Sequence, residues 1–166
     1  MKTATSFGGP FVFIPIDLID DWVNAMGEAP DSERGLYGKV CGHNSYMHSI
    51  PFGGTEVLRI AEDPSDLFWI PREDGGLIIQ WIAAESLGDL IAHGEAVAES
   101  NQWEEVLSFE VANSRMCIMD SCGFDGDDQP KIDIDLSPGI YEVCATHNEG
   151  ENTWATVFRV AKKREM

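Results

Sequence analysis

Apolar runs of four to seven residues, each closed by Gly, Pro, Asp or Asn, set the strongest limit on what this chain can fold into. Ten of them follow one another, at 11–16, 46–51, 56–60, 67–71, 77–83, 106–111, 116–119, 132–136, 140–146 and 154–160. Runs this short fall below the three turns of an average helix, and turn-forming punctuation at such intervals is what antiparallel strands need. The expected class is α+β, mostly antiparallel β-sheet with two short helices. At 166 residues, with 43% hydrophobic residues, the chain suits one domain spanning 1–166 around a single core.

The two helices are read from a change of period. After Asp17, a candidate N-cap, Leu18, Ile19, Trp22, Val23 and Met26 recur at spacings of three and four, and Gly27 is expected to end the stripe. After Ser86, with Asp89 three positions on as a capping-box pair, Leu87, Leu90, Ile91, Val97 and Ala98 form the second stripe. Gly88 and Gly94 each weaken that helix by about 1 kcal/mol relative to Ala, so packing must hold it. Paired glycines at Gly8-Gly9, Gly53-Gly54 and Gly75-Gly76 read as turns.

Charge limits the partners. With 29 acidic against 11 basic side chains the formal net charge is −18. Such a field repels phosphate backbones and anionic lipid, which argues against nucleic acid and membrane surfaces, and it draws in a basic protein. The acidity is uneven: from Glu73 to Glu110 there are nine acids and no Lys or Arg. The longest early apolar run, 11–16, is too short for a signal-peptide core or a membrane span, so a cytoplasmic protein is expected. Cys41, Cys117, Cys122 and Cys144 form no CxxC pair and read as reduced thiols.

Catalytic and metal motifs fail one by one. The stretch GFDGDDQPKIDIDLSPGIYEV, starting at Gly123, carries Asp125, Asp127, Asp128, Asp133 and Asp135. As an EF-hand opened by Asp125 it has Gln129, Pro130 and Leu136 where acidic ligand, Gly and Glu are required. A solvated acidic loop is the simpler reading, with a non-EF cation site as the alternative. Beyond Pro130, Ile132, Ile134 and Leu136 alternate with Asp133 and Asp135, the pattern of a half-buried strand whose carboxylates face water. Cys41, His43 and His48 match no zinc spacing, and His93 and His147 stand alone. There is no GxSxG, P-loop, GxGxxG or HExxH. No cofactor, metal or catalytic residue is assigned, and the chain reads as a non-enzyme. The five tryptophans lie in or beside apolar runs and read as core, and Trp103, next to Glu104 and Glu105, is the one most expected to be partly exposed.

The order of motifs carries a resemblance. SFGGPFVFIP, LYGKVCGHNSYMHSIPFGGTEVLRIAEDPSDLFWIP, GGLIIQWIAAES and LSPGIYEVCAT occur in the same order and with similar gaps as in the Immunity protein 21 family of bacterial polymorphic-toxin systems, which the chain resembles over about 6–160. Residues 28–35 and the loop around Asp125 fall outside the likeness. The closing LSPGIYEV and TVFRV also resemble the end of competence-type nuclease inhibitors. The resemblance implies a non-enzymatic antitoxin that binds a cognate toxin, and the charge suits a toxin with a basic surface, such as a nuclease. Trp103, Glu104, Glu105, Asp125, Asp127 and Asp128 are the candidate contact residues, as carboxylates around an aromatic anchor. The alternative is a metal- or small-ligand-binding β domain, a hydrolase included.

Overall fold

All ten apolar runs become strands, with ends moved by at most three residues. The computed structural model describes the chain apart from residues 7, 29–35, 42–43, 62–64, 123–129 and 166. In chain order the elements are β1 (Lys2–Ala4), β2 (Phe11–Pro15), a 3-10 turn (Ile16–Leu18), α1 (Ile19–Glu28), α2 (Leu36–Cys41), β3 (Met47–Phe52), β4 (Thr55–Ile60) and β5 (Leu67–Arg72). There follow β6 (Gly75–Ala83), α3 (Leu87–Ser100), β7 (Glu105–Val111), β8 (Arg115–Asp120), β9 (Ile132–Asp135), β10 (Gly139–Glu149) and β11 (Trp154–Lys162).

The strands form two antiparallel sheets, one of six in the order β1-β5-β6-β11-β10-β7 and one of five in the order β3-β4-β2-β8-β9. They face each other across a core built from both, including Phe11, Phe13, Leu58 and Ile118 of the smaller sheet and Trp69, Phe109, Tyr141 and Phe158 of the larger. The central strands are buried on both faces, which is why 11–16, 77–83 and 154–160 read as continuous apolar runs instead of alternating ones. Val12, Ile14, Cys117 and Met119 point away from the common core and are covered by Trp22 and Met26 of α1 and Val40 of α2. Phe68, Ile79, Ala155 and Val157 on the far side of the larger sheet are covered by Leu90 and Val97 of α3. The order of layers is helix, sheet, sheet, helix. The expected α+β class with dominant antiparallel sheet is what the chain adopts.

Three details differ from expectation. Asp17 does not cap α1, because the helix is entered through the 3-10 turn that contains Asp17, and its carboxylate accepts from the Asn113 amide instead. Gly27 does not end α1, which runs to Glu28. A third helix, α2, is added. Its six residues include Gly38 and are too few to show a period, and Val40 anchors it. Ser86 does cap α3: its hydroxyl accepts the Asp89 N–H at 3.1 Å and donates to the Asp89 carboxylate at 2.7 Å.

Two glycine sites show why the residue is required. Gly53 and Gly54 join β3 to β4 with φ of 60° and 78°, the pair of positive values that a two-residue type I′ hairpin needs. Gly94 is buried in α3 where a Cβ would stand 2.5 Å from Ile79 Cδ1 of β6. The helix propensity lost at Gly94 is the condition for α3 to lie this close to the sheet.

Candidate partner-binding surface

Trp103, Glu104 and Glu105 occupy the passage from α3 into β7. Asn101 ends α3 in the left-handed conformation, φ 53°, and turns the chain back over the larger sheet. There the Trp103 indole joins the apolar cluster under α3, its Nε1 donates to Asn101 Oδ1 at 2.9 Å, and the Arg159 guanidinium lies 5.1 Å above its ring. Arg159 also donates to Asn101 Oδ1 at 2.8 Å and to Glu142 Oε1 at 3.0 Å, which fixes its plane over the indole. Trp103 is therefore half-buried. The exposed tryptophan is Trp154, at 42%, at the start of β11. Its place beside the β10–β11 turn, where its Nε1 donates to the Gly150 carbonyl at 3.2 Å, was hidden in an apolar run.

The two neighbouring carboxylates are engaged by the protein itself, Glu104 at the surface and Glu105 half-buried. Glu104 accepts from the Thr146 hydroxyl at 2.8 Å, the His147 N–H at 3.2 Å and the Tyr46 hydroxyl at 3.2 Å. The Thr146 hydrogen bond, helped by those from His147 and Tyr46, holds its carboxyl below the usual carboxylate range against the opposing effect of burial. Glu105 accepts the N–H groups of Tyr46 at 2.8 Å and Met47 at 3.2 Å. Because β7 is an edge of the larger sheet and β3 an edge of the smaller, Glu105 staples one sheet to the other. Replacing Glu105 by Gln leaves one acceptor oxygen for two N–H donors and is expected to lower the unfolding free energy by about 1–2 kcal/mol in urea titration. A loss below about 0.3 kcal/mol would show that the staple carries no weight.

Asp125, Asp127 and Asp128 lie outside the described residues. The strands that flank them, β8 and β9, sit at the opposite edge of the smaller sheet from β3, where Glu105 is tied. Asp133 and Asp135 are exposed on β9 while Ile132 and Ile134 are buried, as the alternation requires. Cys41 is exposed at the end of α2, His48 is half-buried on β3, and His43 lies outside the described residues. Among the described residues no three His, Cys, Asp or Glu side chains are grouped to hold a metal. No helix among them is long and apolar enough to cross a membrane.

The surface beside Trp103 was not legible in the sequence. A cleft of about 270 Å3 opens between the last turns of α3, the start of β6 and the end of β11, with Leu77, Ala98 and Ala161 among its apolar walls and Arg72, Asp74, Glu95 and Glu99 among its charged ones. Arg72 is held by Glu95 at 2.9 Å.

The sequence model of the Immunity protein 21 family matches residues 3–153 of the 166. The chain belongs to the Immunity protein 21 family. As a member it is an immunity protein, the class whose partner is a toxin. The match takes in all three helices and the strands from β2 to β10, and ends just before β11. No curated protein and no solved structure matches the chain.

Proposed function

We propose that this Immunity protein 21 member is a single-domain, non-enzymatic antitoxin of a bacterial polymorphic-toxin system. It acts in the cytoplasm, binding its cognate toxin one to one and blocking the toxin's working surface. The observation that carries the reading is the family match over 3–153. The net charge of −18 supports a basic toxin surface, such as the substrate groove of a nuclease, since opposite charge speeds encounter and like charge excludes nucleic acid and anionic lipid. Asp125, Asp127 and Asp128 contribute to that field. Trp103, Glu104 and Glu105 serve the contact by positioning the start of β7, because their polar groups are hydrogen-bonded within the protein.

Co-expression with the product of the adjoining reading frame tests the reading. Rescue of growth and a stoichiometric complex are expected. Reversing charge at Asp125, Asp127 and Asp128 together should slow association about tenfold at low salt and less at high salt. Failure of the unaltered protein to rescue would remove the reading, and salt-independent kinetics would remove the electrostatic part of it.

A further inference from the structure

The larger sheet is covered unevenly on its outer face. α3 rests on β6 and β11, and Trp103 closes the border of that helical layer. Beyond it the outer faces of β10 and β7 form a ledge that is open at Val106, Ser108, Glu110 and Ile140, while Cys144 and Thr146 of β10 are buried. Among the described residues four large apolar side chains are exposed, and two of them, Val106 at 59% and Ile140 at 44%, stand on this ledge. The register places Ser108 and Glu142 opposite each other between them and Glu110 opposite Ile140. The ledge continues into the cleft beside α3, because Arg159 and Ala161, which line the cleft, pair with Cys144 and Glu142 of β10.

The charges on this surface are not equally available. Arg159 is bound to Glu142, Arg72 to Glu95, and the Lys163 ammonium to the Ser108 hydroxyl. Glu99 at the cleft and Glu110 on the ledge have no polar partner among the described residues. The two arginines are thus ion-paired and Lys163 is hydrogen-bonded to a neutral hydroxyl, while two carboxylates remain for a visitor. A cleft with apolar walls and an unpaired carboxylate in its lining suits the side chain of a lysine or arginine, whose stem lies along carbon and whose head needs an anion.

We infer that the β7–β10 ledge and the adjoining cleft are the docking surface for the basic toxin, with Val106 and Ile140 as apolar contacts and Glu99 receiving a lysine or arginine of the partner. This rests on the immunity reading above and names where it acts. Exposed apolar side chains beside two carboxylates that lack an ion pair are what an interface for a basic protein presents. The dominant negative field of the whole chain selects a cationic occupant over a second copy of itself.

The test measures affinity for the product of the adjoining reading frame with three variants, Val106→Lys, Ile140→Lys and Glu99→Lys. An off-site control, Asp133→Lys with Asp135→Lys, changes charge on exposed β9. Each ledge or cleft variant is expected to weaken binding at least tenfold and the control less than threefold. Hydrogen exchange on the unaltered protein, free of any folding question, should show slower exchange in 106–110 and 140–142 when the toxin is added. If the toxin binds the unaltered protein while the variants bind within threefold of it, or the exchange in both segments is unchanged, the surface is wrong though the immunity reading stands. An equal loss in the control also overturns it, since general charge would then account for the effect. Absence of binding by the unaltered protein overturns the immunity reading and the surface with it.

Discussion

Replacing Trp22 by alanine is expected to lower the unfolding free energy by about 3–5 kcal/mol, the usual cost of emptying a buried aromatic site. Trp22 is the residue through which α1 covers the smaller sheet. Its side chain is fully buried against the cluster that holds Val12, Ile14 and Met119, and its ring meets Phe52 edge-on at 5.1 Å between centroids. Its Nε1 also donates to the Ser121 carbonyl at 2.8 Å, a bond spanning 99 positions of sequence. Alanine would remove the packing and leave that carbonyl unpaired. Phenylalanine keeps most of the volume and loses the hydrogen bond, so Trp22→Phe should cost about 1–2 kcal/mol. Urea unfolding of both variants separates the contributions. Equal losses would mean that the hydrogen bond, and not the packing, holds α1 in place.

A second large loss is expected at Asp120, a fully buried carboxylate at the end of β8. Its Oδ1 accepts the Cys122 N–H at 2.8 Å. Its Oδ2 accepts the Gly9 N–H at 3.4 Å and lies 3.1 Å from Ser6 Oγ, which also reaches the Gly9 carbonyl at 2.7 Å. This carboxylate organises the SFGGP loop and the exit of β8 together, and a Cβ at Gly9 would stand 3.0 Å from its Oδ1. Asp120→Ala strands two buried N–H donors and should cost about 3–5 kcal/mol; Asp120→Asn keeps one acceptor and should cost about 1–2 kcal/mol. A stability within 0.5 kcal/mol of the parent for Asp120→Ala would show that the loop is held by something else.

These two residues illustrate how far the sequence could be read. Trp22 was placed correctly on the buried stripe of a helix, because the spacing of Leu18, Ile19, Trp22, Val23 and Met26 reports a helical face directly. Asp120 gave no signal, since its partners Gly9 and Ser6 lie more than a hundred positions away and become partners only when β2 and β8 pair. Glu104 and Glu105 likewise have partners that the sequence did not show. Adjacent acids after an aromatic look like solvated charge, yet Tyr46, Met47 and Thr146 arrive to occupy them. Val106 and Ile140 sat in runs that read as core, and they are exposed because α3 is too narrow to cover β10 and β7.

The sequence by itself determined ten of the eleven strands, the two longer helices, the inward set of Ile132 and Ile134, and the acidic field, but neither β1 nor α2. These depend on local period, turn chemistry and summed charge, which need no contact between distant residues. Only the tertiary structure decided that the strands divide into two facing sheets, that the carboxylates beside Trp103 are staples, and that a partly open ledge and cleft lie next to them. Each of these is a matter of which face of a strand or which oxygen of a carboxylate meets a segment far away in the chain, and that pairing is set by packing.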